Sequence, residues 1–173
     1  MPKLIPDAKD KILAIARKHL FEKGYTGLVL REVADQGALA VGTIYNYFPN
    51  KDMLVATIMA EDWLLSQEAM LKTCKTVTSI EQGIKVIYDA IRKYIELYEH
   101  IWSEYKGVAS GFGQYHVMLR NQLSNQLAEM LERFGYKGDV KLCPLLAETI
   151  LACAMQKDIQ YSVLSELVSR LFL

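Results

Sequence analysis

Residues 31–51 read R-E-V-A-D-Q-G-A-L-A-V-G-T-I-Y-N-Y-F-P-N-K, from Arg31 to Lys51. The spacing predicts two short helices joined by a tight turn. Val33 and Ala34 are the apolar contacts of the first helix, and the turn lies around Gly37-Ala38-Leu39-Ala40. The second helix runs from Val41 to Phe48 and stops at Pro49, whose ring cannot continue it. Its composition is odd for a surface helix. Gly42 and Thr43 are poor helix formers, and Tyr45 and Tyr47 flank Asn46. Ile44 and Phe48 have the i, i+4 spacing of core anchors. The remaining residues suit a surface that meets phosphates and base edges, where small residues allow close approach and hydroxyls and amides hydrogen-bond. The plainer alternative is a helical hairpin with surface tyrosines.

The segment from Ala34 to Leu54 resembles the helix-turn-helix of the tetracycline-repressor (TetR) family of transcriptional regulators. The string V-G-T-I-Y-N-Y-F-P-N-K-D-M-L, Val41 to Leu54, meets the family pattern. That pattern is Gly, Thr or Ser, an aliphatic residue, Tyr, any residue, His or Tyr, Phe, two positions, Lys, an acid and Leu. The resemblance is tight for about residues 10–55 and architectural beyond. It implies a three-helix DNA-binding domain over residues 1–52 and a helical ligand-binding and dimerisation domain over 53–173. In total it implies about eight to nine helices.

By resemblance, Arg31 reaches a base edge or a phosphate, and its guanidinium has the fork that pairs with guanine. A solvated helix charge is the alternative for this residue. Val41, Gly42 and Thr43 would face bases, and Tyr45 and Asn46 would touch base edges or backbone. Tyr47 and Lys51 would hold phosphates. The chain departs from the pattern at Leu28 and Val29, where the family carries Thr or Ser, leaving Thr26 as the nearby hydroxyl. Ala38 stands for the usual turn Gly, and Ala40 for the usual Ser cap. A lost cap costs about 1 kcal/mol.

Composition agrees with an all-α reading. The 173 residues are 51% hydrophobic, enough for a full core, and only four are proline. Every periodic stretch is helical, and none alternates as a strand does. Net charge is zero, but residues 1–52 hold eight Lys or Arg against six Asp or Glu, and residues 53–173 hold twelve against fourteen. The small basic excess therefore sits with the motif, and a dimer would double it on one face. Cys74, Cys143 and Cys153 have no metal spacing and form no even disulfide framework. With no signal peptide in view, reduced thiols in a cytoplasmic protein are expected. No apolar run approaches the roughly 18 residues a membrane span needs. No nucleophile with a base, paired carboxylates or metal cluster emerges, so neither an enzyme nor a cofactor is expected.

Along the chain, the first helix is predicted over residues 8–23, with Asp7 as N-cap, His19 packed beside the apolar face and Gly24 closing the end. Helix four opens on Asn50 and runs to Leu71 or Cys74. Its apolar residues Met53, Leu54, Ile58, Trp63, Leu64 and Leu65 spread round the helix and predict burial from two sides. Ser79 and Gln82 form a capping box for a long amphipathic helix. Its stripe is Ile80, Ile84, Ile87, Ile91, Tyr94, Ile95, Tyr98, Trp102 and Tyr105.

The aromatic end of that helix has two readings. Core packing is the bland one. The sharper one is a wall for a small apolar ligand, with Tyr98, Trp102 and Tyr105 as contacts and Tyr115, His116 and Met118 from the next helix lining the same pocket. The segment G-V-A-S-G-F-G, residues 107–113, is then a loop at its door. The last two helices, over residues 144–155 and 158–172, would leave apolar surface open on a monomer. Pairing with their symmetry mates would make the four-helix dimer interface usual in the family.

The expected function is a homodimeric regulator, a repressor, binding double-stranded DNA at a palindromic operator and released by the ligand. The alternative keeps the fold but acts as a co-regulator through a protein partner. The missing hydroxyls at positions 28, 29 and 40 motivate that alternative.

Overall fold

The structure, a computed structural model, describes residues 7–105 and 112–172, with side chains over 7–105 and 116–171. Among the described residues there are eight α-helices and no strand: α1 (Ala8–Gly27), α2 (Leu30–Gln36), α3 (Val41–Tyr47), α4 (Lys51–Cys74), α5 (Ile80–Glu104), α6 (Phe112–Arg133), α7 (Cys143–Met155) and α8 (Tyr161–Phe172). A short 3-10 turn, Val140–Leu142, precedes α7. Within the described residues no helix is long and apolar enough to cross a membrane.

The helix ends follow local chemistry. Asn50 Oδ1 accepts from the Met53 amide at 2.8 Å and starts α4 as a side-chain cap. Ser79 Oγ accepts from the Gln82 amide at 3.3 Å. Gln82 Oε1 reaches one residue further back than a standard capping box, accepting from the Thr78 amide at 3.0 Å. Asp7 does not cap α1 with its side chain. It sits at φ 63, and its backbone oxygen takes the Lys11 amide instead. Gly24, at φ 72, breaks α1 as expected, and one further turn follows to Gly27.

The chain forms two compact units, Met1–Leu64 with Tyr98–Gly107, and Leu65–Leu97 with Val108–Leu173. Helices α4 and α5 thus each contribute to both. The first unit packs Ile12, Leu13, Ala16 and Leu20 of α1 with Val33 and Ala34 of α2, Ile44 of α3 and Leu54, Val55 and Ile58 of α4. Tyr98 and Ile101 of α5 are fully buried in the same unit. His19 is packed, at 2% exposure, with Nδ1 3.8 Å from Glu32 Oε2.

The second unit buries Ile84, Ile87 and Ile91 of α5, Leu123, Leu127 and Leu131 of α6, Leu146 and Ile150 of α7, and Leu164 and Val168 of α8. Gly83 lets α6 approach α5 closely, since a Cβ there would fall 1.9 Å from Met130 Sδ.

The expected burial of α4 on two sides holds only in part. Leu54, Val55 and Ile58 are enclosed, but Met53, Leu64 and Leu65 are at least half exposed. Towards its end the helix is enclosed again, at Met70 and Cys74.

Candidate nucleic-acid interface

The recognition hairpin is built on two buried points of α3. Ile44 is fully enclosed and Phe48 nearly so, and they hold the helix against α1 and α2. Fixing one face in this way turns the other outward. Gly42, Tyr45 and Asn46 are exposed, with Tyr45 at 51%, and Val41, Thr43 and Tyr47 are half-buried beside them. Arg31 is exposed in the first turn of α2.

Gly42 has no internal reason to be glycine. A Cβ built there meets nothing within 4 Å, and its backbone is not in the left-handed region. Glycine nonetheless costs a helix about 1 kcal/mol relative to alanine. A residue that the fold does not need, on a face open to solvent, leaves room for something outside the chain to approach the backbone.

The turn between the helices carries strain. Gly37 has an ordinary φ of −74, and it is Ala38 that takes the left-handed position at φ 50. The Leu39 amide donates to Ala34 O at 2.9 Å and completes the turn. Ala40 precedes α3 in extended conformation with no side-chain cap. Of the two apolar residues standing for hydroxyls before α2, Leu28 is a core residue at 1% exposure, and only Val29, at 44%, lies on the surface. The hydroxyls missing from the exposed face are therefore those at positions 29 and 40.

Lys51 opens α4 at the edge of this face. It is half-buried, with Nζ 4.3 Å from the Tyr25 ring centroid and 3.4 Å from Thr26 O, to which it donates. Burial holds its pKa below the usual lysine range, against the pull of Asp52 and Glu104. The Tyr25 hydroxyl donates to Asp52 Oδ1. Burial first, and then the neighbouring Asp52, push that phenol up to about 12. From α5, Glu104 Oε2 accepts from the Thr26 amide at 2.7 Å. Contacts across 27 and 78 residues of sequence leave no local signal, and sequence reasoning missed both.

The six candidate ligand contacts divide between the two units. Tyr98 is fully buried, its hydroxyl donates to Asp62, and its ring lies 5.4 Å from Phe21 and 6.3 Å from Trp102. Tyr105 packs 5.0 Å from Tyr25 and donates to Asp52 O at 3.3 Å. These two tyrosines fit the core reading, with both hydroxyls engaged inside the first unit. Trp102 is half-buried. In the second unit, His116 Nε2 is 2.8 and 3.0 Å from the two Glu148 carboxylate oxygens, and Met118 is 47% exposed. The Tyr115 side chain and most of the glycine-rich segment, residues 107–111, lie outside the described residues. Residues 112 and 113 fall in α6 rather than in a loop. Among the described residues no group of three or more His, Cys, Asp or Glu is arranged to hold a metal.

Comparison with known proteins finds its sequence match over the segment that holds this hairpin. Residues 12–58 match the family described as bacterial regulatory proteins, tetR family. The HTH-type transcriptional repressor KstR of Rhodococcus jostii (strain RHA1) is 39% identical over 54 residues, 31% of this chain. That match spans 24%, about a quarter, of the length of the curated relative. Among solved structures, the fatty acid degradation regulator FadR from Bacillus halodurans superposes with a TM-score of 0.60 at 21% identity, covering 98% of this chain and 94% of its own. The transcriptional regulator FadR from Bacillus subtilis, solved in complex with stearoyl-CoA, gives a TM-score of 0.52 at 21% identity, covering 94% and 96%. The two structural likenesses show a shared fold.

Proposed function

We propose, for a chain whose residues 12–58 match the family described as bacterial regulatory proteins, tetR family, that it is a cytoplasmic DNA-binding transcriptional regulator and acts as a repressor. The supporting observation is the outward face of α3. Gly42, exposed and meeting nothing, sits one turn from Tyr45 and Asn46, on a helix whose opposite side is anchored by Ile44 and Phe48. In this reading Val41, Gly42, Thr43, Tyr45 and Asn46 enter a major groove, Arg31 reaches a base edge or phosphate, and Tyr47 and Lys51 hold the backbone.

A homodimer would present two such helices to a palindromic operator. Val163, Leu167 and Leu171 recur every fourth residue on α8 and are 61%, 40% and 46% exposed, and Leu145 on α7 is 65% exposed. Two copies of this surface could pair and remove it from water. The second unit would take a small apolar ligand, a reading supported by the stearoyl-CoA bound to the Bacillus subtilis neighbour.

The test is a fluorescence-anisotropy titration against duplexes from the gene's own upstream region, repeated as salt rises. Binding should weaken steeply with salt, because each neutralised phosphate releases counterions. Absence of salt-sensitive binding to every duplex, together with stoichiometric capture of one protein, would replace this reading with that of a co-regulator.

A further inference from the structure

The Glu104 carboxylate occupies a small cradle of anion-binding groups between the last turn of α1 and the start of α4. Its Oε2 accepts the Thr26 amide at 2.7 Å, and the Thr26 hydroxyl adds a second hydrogen bond. Both of its oxygens lie within 3.0 Å of where a Cβ on Gly24 would stand. Gly24, at φ 72, therefore gives the carboxylate its room as well as turning the chain. The Lys51 ammonium, held over Tyr25 and against Thr26 O, acts on the same carboxylate, as does His100. Of the two acids here, Asp52 is engaged by the Tyr25 phenol, and Glu104 faces the backbone donor.

Glu104 is also the last residue of α5, the end of a helix where a negative charge meets the negative pole of the backbone dipoles. From its own helix it draws only the minor charge effect of His100. The donors around it belong to the last turn of α1 and to the start of α4.

We propose that Thr26 and Lys51 form a phosphate-binding site, and that Glu104 is its built-in competitor, a carboxylate that must leave before a nucleic-acid phosphate can enter. The proposal deepens the DNA-binding reading, because the phosphate in question is one of the duplex backbone. An amide N–H, a hydroxyl and an ammonium are the donors that hold backbone phosphates generally. One carboxylate oxygen here uses the position a phosphate oxygen would take. Because Glu104 ends α5, its release ties DNA affinity to the position of that helix.

The experiment follows the Thr26 amide resonance in the full-length protein as inorganic phosphate is added, in wild type, Glu104→Gln and Glu104→Ala. Either variant should respond to phosphate at concentrations at least tenfold below those that move the wild-type resonance. Adding Lys51→Met to Glu104→Gln should abolish the response. In parallel, affinity for a 30-base-pair duplex of arbitrary sequence at low salt should rise fivefold or more in both single variants. A Thr26 amide unmoved by phosphate in both variants overturns the proposal, whatever the duplex does. So does unchanged or weaker duplex affinity in variants that bind duplex. A phosphate response with no duplex binding by any protein leaves the anion site standing and removes the DNA-binding reading instead.

Discussion

The Tyr98 hydroxyl donates to Asp62 Oδ2 at 2.5 Å, joining the buried end of α5 to the middle of α4. The other oxygen of that carboxylate takes Arg17 Nη2 of α1 at 2.9 Å, and Arg17 also reaches Glu61 at 3.0 Å. Three helices therefore meet on one carboxylate. Tyr98→Phe keeps the ring packing on Phe21 and Trp102 but removes a donor from a charged acceptor. We expect a loss of about 1.5–3 kcal/mol, the scale for hydrogen bonds to charged groups. Urea denaturation at fixed protein concentration measures it. A midpoint unchanged from wild type would show that the hydroxyl does not hold the helices, and would return Tyr98 to the ligand-wall reading.

Gly42 separates stability from function. Gly42→Ala adds a methyl that meets nothing and improves helix propensity, so the fold should gain about 0.5–1 kcal/mol. The same methyl stands on the proposed groove face, and DNA affinity should fall about tenfold, equivalent to about 1.4 kcal/mol. A protein that is both more stable and as tight on DNA would remove Gly42 from the interface.

The helix-turn-helix turn should be improvable at two positions. Ala38 at φ 50 pays the steric cost of a left-handed L-residue, about 1–2 kcal/mol, and glycine returns part of it in chain entropy. Ala38→Gly should therefore stabilise by about 0.5–1 kcal/mol. Ala40→Ser supplies the missing cap of α3 and should add about 1 kcal/mol. Thermal melts of each variant and of the pair check both, and the pair should be nearly additive only if the turn and the cap act independently.

Alkaline pH should expose the Tyr25–Asp52 contact. The Tyr25 phenol titrates near 12 in the folded chain, against 10.0 for an unperturbed tyrosine. The folded state thus binds this proton more tightly than the unfolded state does. Its stabilising contribution is complete below pH 10.0 and is lost as pH rises towards about 12. Melting temperatures of wild type and Tyr25→Phe should differ most below pH 10 and converge above it. A difference that stays constant across this range would mean that the phenol does not titrate as stated.

Val163 tests the pairing of α8. It is 61% exposed in the single chain, so Val163→Glu should leave the monomer folded. In a dimer built on this face the new carboxylate would be buried unpaired. Light scattering should then report half the wild-type mass, with far-UV circular dichroism unchanged.

How far the residues spoke for themselves differs between the two units. In the first, the i, i+4 pair Ile44 and Phe48 and the stop at Pro49 marked both the recognition helix and its buried side. Helical periodicity alone also marked Ile84, Ile87 and Ile91 as core. For Tyr98 and Tyr105 the sequence favoured core and kept a ligand wall as the second reading, since an aromatic stripe has the same period in both. Only their partners, Asp62 and Asp52, separate the two.

The amino-acid order therefore determined what depends on near neighbours: the helices, the Asn50 cap, the break at Gly24 and the outward face of α3. These follow from backbone geometry within a turn or two of each residue. Tertiary structure alone decided which side chains meet across long stretches of chain. Examples are Glu104 on the Thr26 amide, Tyr98 on Asp62, and the burial of Leu28 at a position where the resembled family carries Thr or Ser. Such pairs depend on how whole helices pack, and that is a property of the core as a unit, with no trace in the spacing of any one segment.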